Sequence, residues 1–104
     1  MTTVANPKFR WLALAPPPRA QVLSEIAAER HRQEVMWGEQ NHEPHDYFTI
    51  LAEEFGEVAR EVCEWRFATS DGDLALRLNT MRGELVQLSA VAAAMIEAID
   101  RRPR

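Results

Sequence analysis

The sequence predicts an all-α fold, an antiparallel helical bundle that oligomerisation completes. Three stretches repeat apolar residues at the i, i+3, i+4, i+7 spacing of an amphipathic helix, and segments rich in glycine, proline or aspartate separate them. No stretch alternates apolar and polar residues as a half-buried strand would. A chain of 104 residues buries only about 60–65% of its unfolded surface, so we expect a homodimer or homotetramer to complete the core.

The chain divides into an N-terminal arm, residues 1–18, and a single helical domain, residues 19–104. The arm ends in three consecutive prolines, which are extended and cannot continue a helix. The first helix is expected at about Arg19–Trp37, with Gly38 as its C-terminal cap. Leu23, Ile26, Ala27 and Arg30 stand at the i, i+3, i+4, i+7 spacing of one helix face.

The second helix is expected from about Tyr47 to Phe67, with Asp46 as its N-cap. Its core stripe is expected to be Leu51, Phe55, Val58 and Val62. The segment Thr69–Asp73 is typical of a loop, and a third helix, with a short separate turn near Leu74, is expected to end at about Arg101. Its core stripe is expected to be Leu85, Leu88, Ala92, Met95, Ile96 and Ile99.

Composition excludes several classes of function. Twelve basic and sixteen acidic residues give a net charge of −4, which disfavours a general electrostatic grip on a nucleic acid polymer or an anionic membrane. No apolar run approaches the roughly 20 residues that a membrane span needs. The single cysteine, Cys63, excludes an internal disulfide and favours a reducing, cytoplasmic setting.

The acidic edge of the second helix is the first candidate site. Glu54 and Glu57 are one helical turn apart, so their carboxylates point the same way and repel each other unless something neutralises them. If the second and third helices pair antiparallel, Glu84 and Gln87 can face them. Three carboxylates and one amide would then form an oxygen-rich pocket suited to Mg²⁺ or Mn²⁺. The alternative is a set of solvated acids on a helix surface.

A second candidate site lies around the end of the first helix. Gln33, Trp37, Gln40 and His42 combine an aromatic surface with hydrogen-bonding groups, as recognition of a nucleobase requires. The alternative for Trp37 is a core or interface aromatic. From residue types alone, we expect these four side chains to bind a nucleotide base.

A family resemblance joins the two sites. The run Glu53-Glu54-Phe55-Gly56-Glu57, followed by Glu84-Leu85-Val86-Gln87, resembles the signature of the MazG-like all-α nucleoside triphosphate pyrophosphohydrolases. That signature reads Glu-Glu-x-x-Glu, a spacer, then Glu-x-x-Asp. The upstream run from Glu29 to His42 is also similar to the stretch before the motif in some members, and together the resemblance covers about residues 25–100.

The resemblance implies Mg²⁺-dependent cleavage of a nucleoside triphosphate to the monophosphate and pyrophosphate, in a nucleotide-pool clean-up role. Carried across by position, it makes Glu54, Glu57 and Glu84 metal ligands, and it makes Glu53 the residue that orients or deprotonates the attacking water. Gln87 stands where the family has aspartate, so a ligand of lower charge is expected to hold the metal more weakly.

Gln87 leaves a second function open: a catalytically weakened helical dimer that binds nucleotides or acts in regulation. A plain helical interaction protein with solvated acids is a third. The family's basic segment beyond the second motif is not evident, so phosphate contacts are expected from arginines such as Arg77 or Arg82, or from a neighbouring subunit.

Overall fold

A computed structural model describes residues 19–103, and over this range the predicted all-α class is confirmed. Three helices follow each other without a strand among the described residues: α1 (Arg19–Trp37), α2 (Pro44–Phe67) and α3 (Asp71–Asp100). The predicted N-terminal arm, residues 1–18, lies outside the described residues. No helix among those described is both long and apolar enough to span a membrane.

The predicted bounds of α1 are confirmed, whereas α2 begins earlier than predicted. Gly38 has a φ of +76°, and its N–H donates to the carbonyl of Glu34 at 2.7 Å, which closes the last turn of α1. The N-cap of α2 is Glu43 rather than Asp46. Pro44 takes the first helical position, where its fixed φ suits the helix and its missing N–H costs nothing.

The predicted loop Thr69–Asp73 is confirmed only at Thr69 and Ser70, because α3 already begins at Asp71. The Ser70 hydroxyl accepts a hydrogen bond from the backbone N–H of Asp73 at 3.1 Å, which caps the helix. Asp71 and Asp73 place negative charge in the first turn, where the helix dipole favours it. The separate turn predicted near Leu74 is therefore part of one continuous helix.

Helix α3 is the centre of the fold, and both other helices pack on it while sharing little contact with each other. The short connection makes α2 and α3 antiparallel, and an ion pair between Glu61 and Arg77, 3.6 Å apart, lies across them. Helix α1 is joined to α3 by ion pairs between Glu25 and Arg82 at 2.8 Å and between Arg30 and Glu97 at 2.9 Å. This arrangement leaves a groove above α3 between α1 and α2.

The core is small, and it differs from the predicted stripes. The buried apolar residues of the described chain are Tyr47, Val58, Ala90, Val91 and Ala98. Three of these five residues lie on α3 and two of them are alanines, so small side chains rather than the large ones of the predicted stripe are buried on this helix. Of the residues placed on the three predicted helix faces, the following are exposed: Leu23, Ala27, Phe55, Val62, Leu85, Ile96 and Ile99.

Candidate functional site in the groove between the helices

The groove above α3 contains a pocket of about 240 Å³. Its walls come from the C-terminal half of α1, the loop that follows, the N-terminal half of α2 and the middle of α3. Its lining residues are Arg30, Arg32, Gln33, Trp37, Gly38, Gln40, His42, Tyr47, Ile50, Glu54, Gln87, Val91 and Ala94. The pocket therefore draws on all three helices, although α1 and α2 hardly contact each other.

All four residues predicted to bind a base line this pocket. Gln33 is the one buried residue of α1, with only 7% of its surface exposed, whereas Trp37 is 57% exposed. Gln40 and His42 lie on the loop between α1 and α2 and are half-buried. The structure thus places an open aromatic ring beside buried and half-buried hydrogen-bonding groups.

Contacts from two helices hold the loop that carries Gln40 and His42. The Tyr47 hydroxyl donates to the carbonyl of Gln40 at 2.7 Å, and the His42 ring packs edge-on against the Tyr47 ring with 5.0 Å between centroids. From the end of α3, Arg101 donates to Asn41 Oδ1 at 2.8 Å and to the Gln40 carbonyl at 3.3 Å. The buried Tyr47 and the Arg101 side chain therefore hold this wall of the pocket in place.

Of the predicted acids, only Glu54 lines the pocket, and the others lie near it on α2 and α3. Glu54 lines the pocket and is half-buried, Glu84 is half-buried on α3, and Glu53 and Glu57 are exposed on α2. Burial raises the pKa of Glu54, and the negative charges of its carboxylate neighbours raise it further. Those neighbours, in order of effect, are Glu84, Glu57, Glu53 and Glu29.

The remaining predicted ligand, Gln87, also lines the pocket and is half-buried on α3. Among residues 19–103, no three histidine, cysteine, aspartate or glutamate side chains converge as they would around a metal ion. The carboxylates are thus near enough to disturb the pKa of Glu54, but they are not gathered on one point. Repulsion between the negatively charged carboxylates favours this separation.

The arginines of the pocket are not those that the sequence favoured. Arg77 lies among Glu61, Glu64 and Asp73 near the connection between α2 and α3, at 3.6, 4.0 and 3.5 Å. Arg82 is paired with an α1 carboxylate, and neither arginine lines the pocket. Arg30 and Arg32 of α1 line it instead.

Glu29 lies behind the pocket wall, where it accepts hydrogen bonds from two lining residues, and residue-type reasoning did not single it out. Its carboxylate accepts two hydrogen bonds from Arg32, at 2.8 and 2.6 Å, and one from Gln33 Nε2 at 3.0 Å. The hydrogen bonds from Arg32 lower the pKa of Glu29 most, and that from Gln33 lowers it further. The i,i+3 and i,i+4 spacing of these residues was the available signal.

Comparison with protein-family models, with curated proteins and with solved structures found no match to this chain.

Proposed function

We propose that this chain is a Mg²⁺-dependent, MazG-like nucleoside triphosphate pyrophosphohydrolase, which cleaves an NTP or dNTP to the monophosphate and pyrophosphate. One observation carries the proposal: a pocket lined by Trp37 and Gln33 on one side has Glu54 on the other, crowded by carboxylates from all three helices. A nucleotide has a base and a polyphosphate at opposite ends. The two sides of the pocket suit these two ends.

The donor set fits a hard divalent cation. Glu54, Glu57, Glu84 and Gln87 supply only oxygen ligands, as Mg²⁺ and Mn²⁺ prefer, and Glu54 lies where added positive charge relieves repulsion. The proposal requires these side chains to turn toward a common point when the ion binds. When bound, Mg²⁺ would offset the negative charge of the phosphates and lower the pKa of a coordinated water.

The chain's own residues have distinct roles in this proposal. The Trp37 ring stacks on the base, and Gln33, Gln40 and His42 hydrogen-bond to its edge. Glu53 is exposed next to Glu54, so its carboxylate can reach a water outside the ligand set and accept a proton from it. Arg30 and Arg32 line the pocket but are paired with Glu97 and Glu29, so this proposal draws its phosphate contacts from the metal and from a neighbouring subunit.

The assembly is part of the same proposal: a homodimer, or a homotetramer made of two such dimers. The α2–α3 hairpin exposes large apolar side chains that do not line the pocket, among them Phe55 and Leu85. A face of this kind on one copy can cover the same face on another. The four helices of two such hairpins would then bury more apolar surface than the small core of one chain does.

The direct test is pyrophosphate release from a panel of NTPs and dNTPs with Mg²⁺ or Mn²⁺. The exposed Glu57 gives the first variant, and we expect Glu57→Ala to reduce release about 100-fold or more while circular dichroism is unchanged. Glu64→Ala, on the same helix but beside Arg77, is the matched control and should keep wild-type release. No release on any nucleotide by the wild type would contradict the proposal.

Gln87 is the sharper probe of the metal site. Gln87→Asp adds a charged ligand at a half-buried position of the pocket wall, so we expect tighter Mg²⁺ binding, by about tenfold or more, in calorimetry. Unchanged affinity would mean that position 87 does not face the ion. The neutral residue at this position also favours the second candidate function, a nucleotide-binding or regulatory dimer, for which tight binding of NTP without turnover is the expected result.

A further inference from the structure

The Gln33 side chain has one hydrogen-bonding partner and one polar atom left over. Its Nε2 donates to Glu29 Oε2 at 3.0 Å, and within residues 19–103 its Oε1 accepts no hydrogen bond. Only 7% of the residue is exposed, yet Oε1 is not among the fully buried polar atoms of residues 19–103 that lack a partner, so it keeps some access to solvent. Since Gln33 lines the pocket, a free acceptor is held at the pocket wall.

Glu29 determines the orientation of the Gln33 side-chain amide. Arg32 donates a hydrogen bond to each carboxylate oxygen of Glu29, which favours the ionised form of Glu29. An ionised carboxylate can only accept hydrogen bonds. The atom of Gln33 next to Glu29 must therefore be the nitrogen, because an oxygen there would meet another oxygen without a proton between them. The reverse orientation of the amide is excluded by chemistry.

We infer that Glu29 is a positioning residue that holds Gln33 Oε1 toward the pocket as a hydrogen-bond acceptor, so that the site selects ligands whose buried edge presents an N–H group. The inference rests on the proposed function for the kind of ligand, a nucleobase. It adds that the base must carry a proton on the edge that meets Gln33. A site built around a hydrogen bond rejects a close analogue that cannot form it.

The first measurement needs no ligand. In ¹⁵N-labelled protein, we expect one proton of the Gln33 side-chain amide to exchange slowly with water, because it is bonded to a carboxylate in a buried position. Glu29→Gln should abolish this protection, because a neutral amide can both donate and accept hydrogen bonds, so either end of the Gln33 amide can face it. Glu25→Gln is the matched control, because Glu25 is also on α1 and accepts two hydrogen bonds from an arginine, Arg82 of α3, but does not line the pocket.

The second measurement is equilibrium dialysis with AMP, CMP, GMP and UMP, which have no anhydride to hydrolyse. The tightest binder is then compared with its analogue in which every base N–H is replaced by N–methyl. Wild type and Glu25→Gln should prefer the unmethylated nucleotide by about tenfold or more. Glu29→Gln should reduce this preference to within about threefold, because its Gln33 amide is free to turn over.

The outcomes separate this inference from the proposed function. A merely steric clash with the methyl groups would persist in Glu29→Gln, and a preference unchanged in that variant would overturn the role of Glu29. Equal binding of both nucleotides by the wild type, or no binding of any, would overturn the inference outright. If the wild type prefers the unmethylated nucleotide but releases no pyrophosphate from triphosphates, the inference stands and only the hydrolase proposal is contradicted. If it releases pyrophosphate but shows no preference, the hydrolase proposal stands and the inference is contradicted.

Discussion

Glu54 is the residue at which the proposed function and folding stability oppose each other. Burial and four neighbouring carboxylates raise its pKa in the folded chain above the ordinary value for glutamate. The folded state therefore holds the proton more tightly than the unfolded state does. Stability falls as the pH rises through the interval between the unfolded and the folded pKa, and the penalty is fully present above that interval.

Glu54→Gln should accordingly stabilise the chain at pH 7, by a few tenths of a kcal/mol or more, because it removes a like charge from the cluster. The gain should vanish below about pH 4, where the carboxyl is protonated in both states. Urea unfolding at several pH values measures this difference. Glu64→Gln, whose carboxylate faces Arg77, should bring no such gain, and equal effects of the two substitutions would refute the account.

Residue types alone predicted part of the pocket lining but not the network behind it. Gln33, Trp37, Gln40 and His42 stand out because polar and aromatic groups near a helix end suit a nucleotide, and all four line the pocket. Their partners depend on tertiary contacts. That Glu29 of α1 acts on the charge of Glu54 of α2 follows only from how both helices lie on α3, which no local spacing reveals.

At the scale of elements, α1 is joined to the rest of the described chain chiefly by charged groups. It contributes a single buried residue, the polar Gln33. Arg30, whose side chain is 13% exposed, donates from Nε and Nη2 to the two oxygens of Glu97 at 3.1 and 2.9 Å. Removal of this bidentate pair should loosen α1 more than it unfolds α2 and α3.

A double-mutant cycle on Arg30→Gln and Glu97→Gln tests this expectation. We expect a coupling free energy of about 1 kcal/mol, reduced in high salt. Hydrogen exchange should show faster exchange of the α1 amides, with those of α2 and α3 little changed. Arg60→Gln on α2 should leave the α1 amides protected, and uniform acceleration over all three helices would show instead that the chain opens as one unit.

Helix bounds were predictable where a single residue decides them. Gly38 ends α1 because its positive φ suits the last turn, and this is visible in the sequence. The start of α3 was missed because Asp71-Gly72-Asp73 has the composition of a loop. Ser70 with an acid three residues later is a helix-start pattern, and the observed hydrogen bond from the Asp73 N–H to Ser70 bears it out.

At the scale of the whole molecule, part of the exposed apolar surface of α2 and α3 forms two rows with heptad spacing. Phe48, Phe55 and Val62 repeat every seven residues along α2 and are 44–70% exposed. Leu78, Leu85 and Ile99 follow the same repeat along α3. At about 100° per residue, the α3 row lies about 120–180° from Gln87, whereas the α2 row lies about 80–120° from Glu54, at the side of the helix rather than opposite it. Such rows suit a helix-to-helix seam between two copies.

These rows predict that the chain associates with copies of itself. The wild type should sediment as a dimer or tetramer at micromolar concentration, with a melting temperature that rises with protein concentration. Phe55→Glu combined with Leu85→Glu would place charges within the seam and should give a monomer of lower melting temperature. Val35→Glu is the matched control, because Val35 is 74% exposed on α1, outside both rows, and its substitution should leave the assembly intact. A monomeric wild type, or a doubly substituted chain that still associates, would show that these rows face water rather than a second copy.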